Sequence, residues 1–331
     1  MAMTEIESSL PDFTVVIEWE NAKLSEFDRA RRMLKALSGQ IGEILGRLKH
    51  PPEILIIYDH SAIDPTIIQE VLDETFPDHR VADIRLIPTD GNTYYQQKNV
   101  GANQASKDIV VFLDSDVIPE PGWLKGLLET MRDPSVHVVG GNTYIELDSL
   151  TTRAYALFWF FPLRKEEGGI QVSDNFFANN VAFRRQILLE NPFPDLQATR
   201  GACVVLSQQL RQKGYKIYIN FQSRVTHPPP NGFIHMAKRA ISQGHDDLVL
   251  GNIREPHPYE SRLANALVRF GRRLMRMARH LGKRRYRKAV GLSPAGTVYA
   301  LFIGIGYYVF YLLGLVMSLV SPEYVFKRFA V

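Results

Sequence analysis

The sequence predicts an α/β protein built around a mostly parallel sheet. Two observations carry this. Short apolar runs that end on acidic or polar residues alternate with longer stretches of helical periodicity, and Ile109 to Leu113 is apolar throughout, as a strand buried on both faces must be. Strands alternating with helices imply parallel pairing, with helices covering both faces of the sheet.

Phe13 to Ile17 reads as the first strand and ends in Glu18-Trp-Glu-Asn21. A helical stretch follows from about Leu24 to Leu48, with Leu34, Leu37, Ile41, Ile44, Leu45 and Leu48 at helical spacing. Glu53 to Tyr58 is a second buried strand stopping at Asp59-His-Ser61, and Pro65 to Phe76 is the next helix, opened by a proline whose missing N–H costs nothing there. Val81 to Ile87 is a third strand, and Tyr95 to Gln104 is a helix or helical turn carrying Lys98-Asn-Val-Gly-Ala-Asn103. The fourth strand ends at Asp114-Ser-Asp116. Pro119 and Pro121 bar its continuation, and Gly122 to Met131 has the apolar spacing of a helix.

Val136 to Tyr144 reads as a strand whose Gly140-Gly141 signals a bulge or a close backbone approach. Ala154 to Phe161, rich in aromatics, is expected to be a core helix, with membrane contact or an acceptor-site wall as the alternatives. Cys203 to Lys213 is a helix, and Tyr215 to Ile219 a strand leading to His227 and three prolines.

With 331 residues, 45% hydrophobic and 22% charged, the chain can bury one large core or two small ones. A single cysteine, Cys203, excludes an internal disulfide and a Cys-rich zinc site. Glu5 and Glu7 stand where a signal peptide would have its basic and apolar regions, so no such leader is expected.

Asp114 and Asp116 lie where open α/β sheets bind ligands, beyond the carboxyl end of a strand, and oxygen donors suit Mg²⁺ or Mn²⁺ already carrying phosphate. A D-x-D triplet alone is often a solvated turn. Set between a buried strand and a helix, it becomes a candidate metal-diphosphate clamp.

Several stretches occur in an order that resembles the family 2 glycosyltransferases, over roughly residues 12 to 245. They are Thr14-Val-Val-Ile-Glu-Trp-Glu-Asn21, Ile54-Leu-Ile-Ile-Tyr-Asp-His-Ser61, Lys98-Asn-Val-Gly-Ala-Asn-Gln-Ala105 and Phe112-Leu-Asp-Ser-Asp-Val117, followed by Phe177-Ala-Asn-Asn-Val-Ala-Phe-Arg-Arg185 and the strand ending in His227. The resemblance implies the GT-A fold and inverting transfer of a sugar from a nucleotide diphosphate donor, with Mn²⁺ or Mg²⁺. On it, Asp59 contacts the base, Glu18, Glu20 and Asn21 line base and ribose, and Lys98 and Asn99 belong to the donor site. Asp116 binds the metal directly, Asp114 holds the ribose or metal waters, and His227 is a further ligand or diphosphate contact.

One departure bears on mechanism. The family usually carries an acidic pair before the helix leading into its Gly-Tyr strand, and the Asp of that pair deprotonates the acceptor hydroxyl. Here the position falls on Ala202-Cys203. Either Asp195 or Asp174 supplies the base, or the acceptor is already ionised, as a lipid phosphate is, or the enzyme is impaired.

The charge of +4 is unevenly spread: Ser261 to Pro322 contains no Asp or Glu. Leu263, Leu267, Phe270, Leu274, Ala278 and Leu281 recur at helical spacing among arginines and lysines, and the segment 262–288 is expected to lie on anionic phospholipid. A nucleic-acid arm has the same charge, but the neighbouring span decides for membrane. Val298 to Val320 is free of charge and long enough to cross a hydrocarbon core of roughly 30 Å.

The expected organisation is therefore a GT-A domain at 1–250 (nucleotide half 12–117, acceptor half 118–250), a basic juxtamembrane segment at 251–290, a transmembrane helix at 297–321 and a short tail at 322–331. The positive-inside rule puts the catalytic domain of this single-pass protein on the cytosolic side. The expected activity is transfer from a nucleotide-sugar, a UDP-sugar by preference, to a lipid-linked or membrane-presented acceptor. A non-catalytic sugar-nucleotide-binding scaffold is the rival.

Overall fold

The computed structural model describes residues 9–20, 27–78, 80–164 and 168–329. Two compact units are interleaved along the chain. The first comprises Met1–Thr143, Lys165–Asp195 and Leu206–Thr226, and the second Tyr144–Arg164, Leu196–Val205 and His227–Val331.

The strands are β1 (Phe13–Glu18), β2 (Glu53–Asp59), β3 (Asp83–Thr89), β4 (Ile109–Asp114), β5 (Ile118–Pro119), β6 (Val138–Ile145), β7 (Ile170–Ser173), β8 (Asn180–Arg184) and β9 (Ile217–His227). Among the described residues they form one sheet in the order β3-β2-β1-β4-β8-β6-β9-β5, with β7 paired to β9. The parallel pairing expected from the sequence holds across β3, β2, β1 and β4. Beyond β4 the sheet turns antiparallel: β8 runs against both β4 and β6, and β9 runs against β5 and β7. The sheet is therefore mixed.

The helices in chain order are α1 (Phe27–Ile44), α2 (Pro65–Thr75), α3 (Tyr94–Gln104), α4 (Trp123–Thr130), α5 (Leu150–Ala156), α6 (Arg185–Glu190), α7 (Ala202–Gln212), α8 (Gly232–Val249), α9 (Arg262–Gly282), α10 (Arg284–Ala289), α11 (Pro294–Val320) and α12 (Pro322–Phe329). Local chemistry sets their starts. Asp64 caps α2 by accepting from the Thr66 N–H, and Thr93 with Gln96 forms a capping box on α3. In the first unit Phe13, Val15 and Ile17 of β1 and Val111 and Leu113 of β4 share a core with Met33, Leu34 and Leu37 of α1 and Trp123 and Leu127 of α4. The close approach expected at Gly140-Gly141 is real: a Cβ on Gly141 would lie 2.0 Å from the Ser223 carbonyl oxygen.

The aromatic run of the second unit is buried apart from a partly exposed Phe160, but it is not one helix. α5 ends at Ala156 and the chain continues in turns, which lets Phe158 and Trp159 reach Tyr307 of α11. The sequence reading placed no helix at Gly232–Val249, because charges on several faces hide the apolar periodicity of α8.

α11 is long and apolar enough to cross a membrane, by length and composition. Gly304, Tyr307, Tyr311, Gly314 and Ser318 face the protein, whereas Val298, Phe302, Ile305, Val309, Val316 and Leu319 face outward. α9 also differs from a simple surface helix. Arg273 turns inward to pair with Asp247 of α8 at 2.9 Å, and Arg269 donates to the carbonyls of Gly251 and Arg254.

Candidate active site

The ends of β1 and β4 are in register, which sets Glu18 opposite Asp114. Both carboxylates are buried, as are Ser115 and Asp116 in the turn that follows. Lys98 comes from α3 with no exposure at all, its Nζ 2.6 Å from Asp114 Oδ1 and over the rings of Tyr94 (4.6 Å) and Phe112 (5.2 Å). One helical turn before it, the Tyr94 hydroxyl donates to Asp114 Oδ2 at 2.8 Å. The Asp114 carboxylate is thus held from both sides. The Glu20 N–H donates to Glu18 Oε2 at 3.0 Å. Arg29 of α1 donates to the Asp116 carbonyl through Nε and to the Thr226 carbonyl through Nη2, which ties the acidic turn to β9.

Burial, then the charge of Asp114, pushes the Glu18 carboxyl well above its ordinary range. Lys98 opposes this, while Glu20 and Asp116 add to it. Four carboxyl groups, Glu18, Glu20, Asp114 and Asp116, bear on one another here, with Lys98 opposing their charge at Glu18. A donor set of carboxylate oxygens fits a hard divalent cation such as Mg²⁺ or Mn²⁺.

The remaining site residues expected from the sequence are more dispersed. Asn99 is spent on the fold: its amide donates to the Phe193 carbonyl at 2.9 Å and accepts from the Phe193 N–H at 3.0 Å. Asp59 closes its own turn by accepting from the N–H and hydroxyl of Ser61, and it groups with His60 and Asp90 on the surface, ligand atoms within 4.8 Å of one another. Asn21 lies outside the described residues. Asp174 is exposed at the end of β7, 3.8 Å from Arg211, and Asp195 is exposed in a loop.

His227 ends β9 and belongs to the second unit, whereas Asp116 belongs to the first. Its Nδ1 lies 2.6 Å from the Pro228 carbonyl, which fixes the proton there and leaves Nε2 as the lone-pair nitrogen, and its ring packs on Phe161 at 4.8 Å. Ala202 and Cys203 open α7. The loop before them is gripped by Asp246 of α8, which accepts from the N–H groups of Thr199 (2.8 Å) and Arg200 (2.9 Å) and from the Thr199 hydroxyl (2.9 Å). Burial raises the Asp246 carboxyl, and Arg254, His245 and the Thr199 bonds only partly offset it. Gly201 at φ +106° leaves the space the Arg254 guanidinium occupies, and Arg254 donates to the Arg200 carbonyl and to Asp247.

His235 of α8 is held at about 4 by burial, then by Arg239, Arg200, His227 and Lys238. It accepts the Asn231 N–H on Nδ1, so the ring proton sits on Nε2, a buried donor with no acceptor among the described residues. Sequence reasoning missed this group, because its members come from residues 200, 227 and 235–239. It missed Tyr94 too, although the one-turn spacing from Lys98 was there to be read.

The sequence model described as Glycosyl transferase family 2 matches residues 25–190, half of the chain. The chain belongs to this family. Two curated relatives from Haloferax volcanii are similar to it. A glucosyl-dolichyl phosphate glucuronosyltransferase is 23% identical over 58% of this chain and 64% of its own length, and glycosyltransferase AglE is 26% identical over 63% and 64%. The chain thus spans a little under two thirds of each. Among solved structures, the mannosyltransferase PcManGT from Pyrobaculum calidifontis, in complex with GDP-Man and Mn²⁺, aligns with a TM-score of 0.53 at 16% identity, covering 99% of this chain and 92% of that one. S. aureus TarS in complex with UDP-GlcNAc aligns at 0.50 and 14%, covering 94% and 92%. These likenesses establish the GT-A fold.

Proposed function

We propose that this family 2 member is a membrane-associated, metal-dependent inverting glycosyltransferase that moves a sugar from a nucleotide diphosphate donor to a lipid-linked acceptor. The observation that carries it is the buried group Glu18, Lys98 and Asp114, with the half-buried Tyr94, beside Asp116 at the carboxyl ends of β1 and β4. Asp116, with Asp114, would hold Mn²⁺ or Mg²⁺, and when bound the ion neutralises charge developing on the departing diphosphate. Lys98 and Tyr94 fix the Asp114 carboxylate so that it does not reorient as charge moves. Glu18 and Glu20 lie at and just past the end of β1 and Asp59 at the end of the neighbouring β2, where a base and ribose would be gripped.

The lipid-linked acceptor draws support from the dolichyl phosphate named for one relative and from the outward apolar face of α11. A UDP-sugar is the preferred donor on the sequence resemblance, and the GDP-Man bound by PcManGT keeps GDP-sugars in any panel. A single crossing by α11 with the catalytic domain cytosolic is supported by the exposed basic residues Lys283, Arg284, Arg285 and Lys288 just before it, which also suit anionic phospholipid. The scaffold reading retains one observation, the Ala202-Cys203 pair at the start of α7.

The test is nucleotide release from a panel of UDP- and GDP-sugars by detergent-purified full chain with Mn²⁺ and total membrane lipid, against Asp116→Ala. Lipid-stimulated release that the variant loses is the expected result. Donor binding without release under any lipid condition would favour the scaffold.

A further inference from the structure

We infer that Arg29 is a positioning residue for the metal clamp: its guanidinium fixes the main chain of the acidic turn and so holds the Asp116 carboxylate ready for a divalent cation. This rests on the metal-dependent reading above and goes beyond it by naming the group that orients the ligand.

The turn is held weakly by its own backbone. Inside it the Val117 N–H reaches the Asp114 carbonyl at 3.3 Å, longer than a good amide bond. Side chains complete the work, and they divide it between two helices. Lys98 and Tyr94 of α3 fix Asp114 through its carboxylate, whereas the half-buried Arg29 of α1 takes Asp116 through its carbonyl. A bond to the carbonyl sets the direction in which the side chain leaves the backbone, and that bond occupies no carboxylate oxygen.

The guanidinium suits this task by its shape. Nε and Nη2 share one edge of a planar fork, and here that edge spans two acceptor segments: Nε donates to the Asp116 carbonyl, and Nη2 donates to the carbonyl and hydroxyl of Thr226 at 3.2 and 3.3 Å. The segments are already neighbours, because Ile118 pairs with Thr226 and Pro119 with Val225. Arg29 extends this short ladder back to the acidic turn. A lysine keeps the charge but is a single point donor, which cannot reproduce an edge that bridges two carbonyls.

α1 gives the arm a rigid base. Met33, Leu34, Leu37 and Ile41 fasten the helix to the core of the first unit. About three turns beyond Arg29, on the same helix face, Gln40 clasps the chain that follows the acidic turn, donating to the Glu120 carbonyl at 3.1 Å and accepting from the Leu124 N–H at 2.9 Å. The helix thus grips the main chain at two points, and the Arg29 grip is the one at the metal-binding turn.

The experiment measures Mn²⁺ affinity of the detergent-purified full chain from the paramagnetic resonance signal of the free ion, without nucleotide and again with UDP or GDP, alongside thermal unfolding in EDTA. It compares wild type, Arg29→Lys and Gln40→Leu. Arg29→Lys is expected to weaken Mn²⁺ binding by about tenfold or more while its melting temperature in EDTA stays near that of the wild type. Gln40→Leu is expected to do the reverse: it strands the Glu120 carbonyl and the Leu124 N–H, so the melting temperature falls and Mn²⁺ affinity is kept. Wild-type Mn²⁺ affinity in Arg29→Lys would overturn the inference. So would an Arg29→Lys protein that fails to fold or melts as early as Gln40→Leu, since Arg29 would then serve the fold. A wild type that binds no Mn²⁺, with or without nucleotide, would sink the metal-dependent reading and this inference with it, whereas equal affinities in wild type and Arg29→Lys sink this inference alone.

Discussion

Gly244 of α8 and Gly314 of α11 mark the crossing of their helices: a Cβ on Gly244 would lie 2.1 Å from the Tyr311 carbonyl oxygen, and one on Gly314 would lie 2.1 Å from that of Ile241. Neither neighbour can yield, because both are backbone. Gly314→Val is expected to cost about 3 kcal/mol or more by forcing the helices apart. Gly306→Val, on the same helix with nothing within 4 Å of its Cβ position, serves as the control. Thermal unfolding in detergent reads the difference, and equal melting temperatures would mean the close crossing is not formed.

Removing the Lys98 ammonium strands the buried Asp114 carboxylate. Lys98→Met should destabilise the protein by about 3–5 kcal/mol, and Mn²⁺ should restore more of the melting temperature in the variant than it adds to the wild type, since the ion supplies the missing charge. Equal Mn²⁺ shifts in both proteins would argue against a cation at Asp114 and Asp116.

His235 gives a pH dependence with a definite sign. Its value of about 4 lies below the ordinary 6.5, so the unfolded chain takes up a proton in that interval before the folded chain does. The contribution to stability is complete above pH 6.5 and falls away as the pH drops towards 4. The charges bearing on the ring are Arg239 and Lys238 on its own helix, Arg200 in the loop before α7 and His227 at the end of β9. His235→Gln should flatten the wild-type decline of melting temperature across this window. An unchanged slope would assign that decline to other groups.

If the acceptor is a phosphate, neither candidate base is needed. Asp195→Asn and Asp174→Asn should each keep turnover within about threefold with undecaprenyl monophosphate as acceptor. A loss of a hundredfold or more in kcat, with donor affinity intact, would identify that residue as the base and restore a hydroxyl acceptor.

Much of the first unit was legible because its strands are buried on both faces and stop abruptly. Ile109 to Leu113 has no alternative as a strand, and Asp114 and Asp116 follow from where it ends. The antiparallel strand β8 was not legible, since Asn180 to Arg184 is short and its partner β6 lies far back in the sequence. Nor was α8: Lys238, Arg239, His245, Asp246 and Asp247 break its apolar stripe because the helix buries charged partners instead. The arginines of α9 read as lipid-facing, yet Arg273 points inward, because Asp247 is there to receive it. Sequence carries charge but not direction, and only the packing of α8 against α9 decides which side the guanidinium takes.

The burial of α11 sets the terms on which the protein can be cut. Tyr311 donates to Asp247, Tyr307 donates to Gln243, and His245 meets Ser318, so the helix supplies hydrogen-bond partners to the core of the second unit. Deleting it to obtain a water-soluble enzyme would uncover those polar groups along with Gly244. The second unit is therefore expected to keep its fold only with α11 in place, in a detergent micelle or a lipid disc that covers the outward apolar face of that helix.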